Sequence, residues 1–195
     1  MPDHHQKENS LTKIAIILGS TRPGRRGADV AKWVLDAASA RAGVEYELVD
    51  IADFPLPHLD EVDLPSMGQY ANDHTKKWAA KIAQFDGFLF VTPEYNRSTS
   101  GVLKNAIDYL YAEWNNKAAG FVSYGSVGGT RAVEHLRLIS AELQMATVRS
   151  QVSLSLFTDW ENFTTFAPGP QHADALNALF GQLEAWSTAL EPLHA

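Results

Sequence analysis

The sequence predicts an α/β fold: five parallel strands in one sheet, ordered 2-1-3-4-5, with helices on both faces. Short, continuous apolar runs recur along the chain, each stopped by Gly, Pro or Asp, as strands buried on both faces require. Amphipathic stretches with helical spacing lie between them. The two patterns alternate about five times, so each strand reaches the next through a helical crossover. Right-handed crossovers leave few topologies, and five strands favour the doubly wound order above.

The elements follow in turn. "KIAIILG" (Lys13–Gly19) is the first strand. A helix over Ala28–Ala42 follows, with apolar Val30, Ala31, Val34, Leu35 and Ala38 on one face and Gly43 as its stop. "VEYELVDI" (Val44–Ile51) is the second strand, and "DFPLPHLDEVDLPSMG" (Asp53–Gly68) is a long, Pro-rich, acidic excursion before a helix over Tyr70–Phe85. "GFLFVTP" (Gly87–Pro93) is the third strand. It leads to a helix over Gly101–Trp114 that lines up Leu103, Ala106, Ile107 and Leu110. "AAGFVSYG" (Ala118–Gly125) is the fourth, before a helix over Gly129–Met145. "TVRSQVSLSL" (Thr147–Leu156) alternates apolar and polar residues and is read as the fifth strand. "FTDWENFTTFAPGPQ" (Phe157–Gln171) is read as an aromatic-rich loop, and His172–Leu190 as the last helix. Loops of this length tend to be functional or interfacial. Residues 13–195 form one expected domain, and residues 1–12 a polar tail without fixed structure.

Composition removes several classes of function. The formal net charge of -7 argues against a nucleic-acid or anionic-membrane partner. There is no cysteine, which excludes disulfides, thiolate zinc sites, Fe–S clusters and cysteine nucleophiles. "MPDHHQKENS" lacks the apolar core of a signal peptide, and no apolar run reaches the ~20 residues of a membrane span. A cytoplasmic location is the expectation. No Ser-His-Asp order, HExxH motif or helically spaced carboxylate pair is present, and neither His4-His5 nor His135 reads as a metal ligand.

Chemistry gathers at the ends of strands 1, 3 and 4. Ligands of open parallel sheets bind beyond the carboxyl ends of the strands, where the strand order reverses. "GSTRPGRRG" has the G-x-x-x-x-G spacing of a nucleotide loop, but Arg25-Arg26 replaces the Lys-Ser/Thr that hydrolysis needs. The dinucleotide pattern fails too, because Thr21 stands where its second glycine belongs; Asp50 then reads as a loop cap. What remains is backbone N–H at a helix start, the hydroxyls of Ser20 and Thr21 and the guanidinium groups of Arg22, Arg25 and Arg26. That set suits a terminal phosphate held without metal. At the third strand end, Pro93, Glu94, Tyr95 and Asn96 offer an aromatic wall and an amide to a planar ligand. At the fourth, Ser123, Tyr124, Gly125 and Ser126 combine hydroxyls, a ring and open backbone. The joint expectation is a mononucleotide with a planar ring system.

With "GSTRPGRRG", "TPEYNRSTSGVLKNAIDYL" and "VSYGSVGG" in this order, the sequence resembles the NAD(P)H-dependent FMN reductase family, flavodoxin-like in fold. The branch it most resembles is that of small quinone and azo-compound reductases. The resemblance covers about Lys13 to Leu154 and is loose over the C-terminal forty residues. It implies FMN as prosthetic group, its phosphate on Ser20, Arg22 and the Arg25-Arg26 turn. The ring and ribityl chain would lie between Pro93, Glu94, Tyr95 and Asn96 and the stretch Ser123, Tyr124, Gly125 and Ser126. It implies NAD(P)H as co-substrate, hydride passing from the nicotinamide to flavin N5 and then to a quinone, flavin or similar small acceptor. With the flavin performing the chemistry, no catalytic side chain is expected. Many members carry serine or asparagine where this chain has Pro23-Gly24-Arg25-Arg26, which leaves open which arginine meets phosphate. The resemblance also implies a homodimer or tetramer. Tyr109, Tyr111 and Trp114, read as lying beyond the core face of their helix, point the same way. A flavodoxin-type electron carrier that never meets NAD(P)H is the alternative.

Overall fold

The computed structural model describes residues 11–194. Five strands, β1 (Thr12–Leu18), β2 (Val44–Asp50), β3 (Gly87–Pro93), β4 (Ala118–Gly125) and β5 (Ala146–Ser155), form one sheet in the order β2-β1-β3-β4-β5. Every neighbouring pair is parallel. The helices between and after them are α1 (Gly27–Ala38), α2 (Asp73–Ile82), α3 (Gly101–Asp108), α4 (Thr130–Glu142) and α5 (Gln171–Leu190). Side chains alternate across a strand. Ile14, Ile16 and Leu18 therefore pack with α1 and α5 on one face, and Ala15 and Ile17 with α2, α3 and α4 on the other. Burial on both faces is why the strands read as unbroken apolar runs. The tail expected over residues 1–12 falls almost wholly outside the described residues, and β1 already begins at Thr12.

The fifth strand owes its alternation to its edge position. Between Ala119 and Phe121 of β4, the paired residues of β5 jump from Thr147 to Gln151, so β5 bulges there. The first four helices are shorter than their apolar patterns suggest, while α5 runs the full length expected. α1 stops at Ala38, and Arg41 turns out of it to donate its Nε to Glu184 of α5 at 2.8 Å. In the excursion before α2, the Glu61 carboxylate accepts the N–H groups of Ala71 and Asn72, and the helix starts only at Asp73. Where a loop was expected after β5, a small hairpin forms, β6 (Trp160–Glu161) with β7 (Thr165–Phe166).

The largest correction concerns α3, which ends at Asp108 rather than at Trp114. The chain folds back through a short 3-10 turn at Ala112–Trp114 that drives Trp114 into the core. There it is fully buried, packs against Phe88 at 4.7 Å between centroids and donates Nε1 to Ile107 O at 3.1 Å. Tyr109 is buried as well. Its hydroxyl reaches Asp60 Oδ1 at 2.9 Å and Pro57 O at 3.1 Å, and burial together with the Asp60 bond pushes its pKa up to about 12. Tyr111 is partly buried. These aromatics are interior packing, not exposed surface, so they give no argument for an oligomer.

Lys117, just before β4, is 7% exposed, with its ammonium 5.5 Å from the Phe88 ring centre. Burial lowers its pKa from 10.5 to about 8, opposed by Asp86 and Glu113. Between those two values the unfolded chain holds the proton and the folded chain releases it. Stability therefore rises with pH across that window. Urea unfolding of a Lys117→Met variant at pH 8 and pH 10 should show this rise abolished, with the variant more stable than the parent at pH 7. Trp114→Ala should lose about 3–5 kcal/mol in the same assay and leave the light-scattering mass unchanged, because Trp114 is core and not interface.

Candidate active site

The loop after β1 is built before it is charged. Gly19 extends the ladder by donating its N–H to Val91 O at 2.9 Å. A Cβ on Gly19 would lie 2.6 Å from Leu103 Cδ2 and 2.9 Å from Val91 O, so only glycine lets α3 seat this closely. Ser100 completes the seat. Its hydroxyl donates to Gly19 O and accepts from Leu103 N at 3.2 Å, capping α3. The Leu-Lys-Asn-Ala run thus has structural reasons at each step. Leu103 meets Gly19, while Asn105 accepts from Leu59 N at 3.0 Å and donates to Pro57 O at 2.7 Å, holding the acidic excursion.

Pro23 and Gly24 (φ 67°) take the central positions of a turn closed by Arg25 N–H to Arg22 O at 3.0 Å. The three arginines then diverge. Arg25 folds back onto the carbonyl of Ser20 and forks onto Asp50, with Nη1 2.9 Å from Oδ1 and Nη2 on Oδ2. Asp50 also accepts Ala52 N at 2.9 Å, the cap read from the sequence. Arg26, at the start of α1, has a buried Nη1 with no hydrogen-bond partner among the described residues. Arg22 is exposed. Among the described residues one of the three cations is paired, and the other two have no acidic partner.

The loops after β3 and β4 lock to each other. Glu94 donates its N–H to Tyr124 O at 3.0 Å, and its buried carboxylate pairs with Arg131 and accepts Arg131 N at 3.2 Å. Tyr95 and Ser98 exchange both backbone hydrogen bonds, at 2.8 and 3.1 Å, around Asn96 (φ 50°) and Arg97 (φ 73°). This turn leaves Asn96 exposed. Ser123 is fully buried and donates to Gly128 O at 2.7 Å, while Ser126 is exposed. Burial raises the Tyr124 pKa well above its ordinary value, so the phenol stays protonated.

Eight of the expected residues, Arg22, Arg25, Arg26, Pro93, Glu94, Tyr95, Tyr124 and Gly125, wall one crevice of about 80 Å³. Ser20 is buried beside it, its hydroxyl 3.4 Å from the Tyr95 hydroxyl. Ser123 closes a turn instead of facing the crevice, and Asn96 and Ser126 stand exposed on the same loops. Leu156, unanticipated, completes the wall; its only signal was an apolar residue directly after the fifth strand. A wider apolar cleft of about 540 Å³ opens on the other side of Thr21, between Ile51–His58 and the start of α3. A crevice of this size, ringed by two uncommitted guanidinium groups at a helix start, fits a phosphate.

A family model of NADPH-dependent FMN reductases matches residues 12–159. The chain belongs to this family. It is 42% identical over 149 residues to an NAD(P)H-dependent FMN reductase of Schizosaccharomyces pombe, covering 75% of this chain and 74% of that one. It is 34% identical to a 2-hydroxy-1,4-benzoquinone reductase of a Burkholderia species, over 68% of this chain and 72% of the relative. Its fold resembles that of a flavoenzyme NAD(P)H:(acceptor) oxidoreductase of Paracoccus denitrificans, with a TM-score of 0.68, 22% identity and coverage of 94% and 99%. The flavodoxin-like topology of the FMN reductases is therefore the one seen here.

The phosphate of an FMN fits the residues present, because Arg26 Nη1 is buried beside the crevice without a partner. Arg25 does not compete for it while Asp50 holds both of its terminal nitrogens. Asp50→Ala should strand that guanidinium and remove the cap at Ala52. Urea titration should then show a loss of about 1–3 kcal/mol.

Proposed function

We propose that the chain is an NAD(P)H-dependent, FMN-containing oxidoreductase that passes electrons from a reduced nicotinamide to a quinone, a flavin or a similar small acceptor. The observation that carries this reading is the unpaired, buried guanidinium nitrogen of Arg26 beside the crevice at the sheet's switch point. Its relatives' names supply the coenzyme and the acceptor class: one is an NAD(P)H-dependent FMN reductase, another a benzoquinone reductase. These names disfavour an electron carrier that never meets NAD(P)H.

When bound, FMN supplies the two-electron chemistry, accepting hydride from the nicotinamide and returning electrons to the acceptor. The residues of the chain bind and orient. Arg26 and Arg22 neutralise the phosphate, with Ser20 beside them. The half-exposed Tyr95 offers the flat head an aromatic wall, the buried Tyr124 backs the crevice from within, and Gly125 lets backbone approach. Asn96, held outward by its left-handed turn, offers an amide to the polar edge of the ring. Glu94 acts at one remove, by fastening the two loops through Arg131. No side chain is needed as acid, base or nucleophile.

A homodimer is part of the proposal, with a tetramer as the next larger assembly. The excursion after β2, held on α3 by Asn105, exposes Val62 (94%), Leu64 (69%) and Met67 (56%), an apolar surface suited to a partner copy. A cytoplasmic location completes the reading. Among the described residues no helix is long and apolar enough to cross a membrane.

Purified protein loaded with FMN should show flavin absorbance and consume NADPH when given a benzoquinone. Arg22→Ala and Asn96→Ala should each weaken FMN binding by about tenfold or more, as expected for losing a strong hydrogen bond. Quenching of flavin fluorescence on titration measures this, and light scattering reports the dimer.

A further inference from the structure

The segment after β5 carries two conspicuous rings. Phe157 is 65% exposed and Phe163 51%, and they meet edge to face with centroids 5.6 Å apart. Phe163 also has φ 57°, after Asn162 at φ 49°, in a tight turn closed by Thr164 N–H to Glu161 O at 3.0 Å. Hairpin turns with two left-handed residues favour glycine at the second, and a bulky side chain there is strained. A half-exposed aromatic in a left-handed turn position is costly, and the ring it meets, Phe157, is itself exposed. Strain kept at one place points to function.

The hairpin beneath these rings is firmly built. Asp159, 1% exposed, accepts Ser155 N at 2.8 Å and Gly169 N at 3.3 Å, and pairs with His172 Nε2 at 2.8 Å. Trp160 packs between Phe166, at 4.9 Å, and Tyr124 of the crevice, at 6.1 Å. Leu156, itself a crevice wall, donates its N–H to Gly125 O at 3.0 Å and is followed directly by Phe157. The ring pair is therefore held at the border of the cofactor site.

We propose that Phe157 and Phe163 form a stacking subsite for the adenine end of the reduced nicotinamide dinucleotide. This rests on the flavin-reductase reading above. The dinucleotide has two flat ends joined by a diphosphate. Its nicotinamide end must reach the flavin, so its adenine end lies at the periphery of the same site. Aromatic faces bind bases by stacking and need no matching donors. A quinone would want donors for its carbonyl oxygens, which these side chains lack. The exposed Arg22, on the same crevice, supplies positive charge for the diphosphate, and its five N–H donors exceed what one phosphate uses. Phe157 lies within the matched residues 12–159 and Phe163 beyond them, so the matched family segment holds only one of the two rings.

Stopped-flow reduction of the FMN-loaded enzyme tests this with two probes, NADPH and reduced nicotinamide mononucleotide, which lacks the adenosine. The Phe157→Ala/Phe163→Ala variant should bind NADPH about tenfold more weakly. Its reaction with the mononucleotide and its KM for a benzoquinone should stay unchanged. Phe163→Gly, which relieves the turn, should fold at least as stably as the parent and still bind NADPH more weakly. Unchanged NADPH binding, equal losses with both probes, a shifted quinone KM or an altered light-scattering mass would each overturn the subsite. If the parent enzyme itself is not reduced by NADPH, the flavin-reductase reading fails instead.

Discussion

Three arginines crowd one turn of an acidic protein, and among the described residues only Arg25 of the three has an ion-pair partner. Asp50, at the end of the neighbouring strand, takes both terminal nitrogens of that guanidinium while capping its own turn. A buried donor without a partner costs free energy, so the Nη1 of Arg26 calls for an anion from outside, while the exposed Arg22 beside it adds positive charge. That unmet requirement, fixed in position by the Arg25–Asp50 fork, is the physical basis of the site. The β-turn at Pro23-Gly24 makes it work: it reverses the chain so that one arginine folds inward and its neighbour faces the crevice.

The three crest loops are tied to one another. Ser100 and Leu103 seat α3 on Gly19, Glu94 ties the third strand end to the fourth through Arg131 and Tyr124, and Leu156 joins the fifth strand to Gly125. A cofactor held this way needs little reorganisation by the protein, which is how a binding fold serves redox chemistry performed by its ligand. The same logic explains Glu94 and Ser123. Both sit where a ligand contact is expected, and their side-chain polar atoms are bonded to other parts of the chain, which holds the two loops in place.

Strand order and the gathering of loops at one crest were legible because parallel strands leave a continuous apolar signature and crossovers have one hand. Local periodicity could not tell that Trp114 turns back into the core, since helical spacing over Gly101–Trp114 is satisfied whether or not the helix continues. Nor could it find the hairpin around Asn162-Phe163, whose turn lacks the glycine that usually announces one. Eight of the twelve residues singled out line one crevice. The Arg25–Asp50 fork escaped notice because it pairs residues 25 positions apart, and a linear reading carries no such distance.

The measurement that bears most directly on this account compares FMN with riboflavin, which lacks only the phosphate, in binding to the parent and to Arg26→Ala. The account predicts that the parent strongly prefers FMN and that the substitution removes most of the preference while riboflavin affinity barely moves. Equal affinity of the parent for the two flavins, or a preference undiminished in Arg26→Ala, would contradict it.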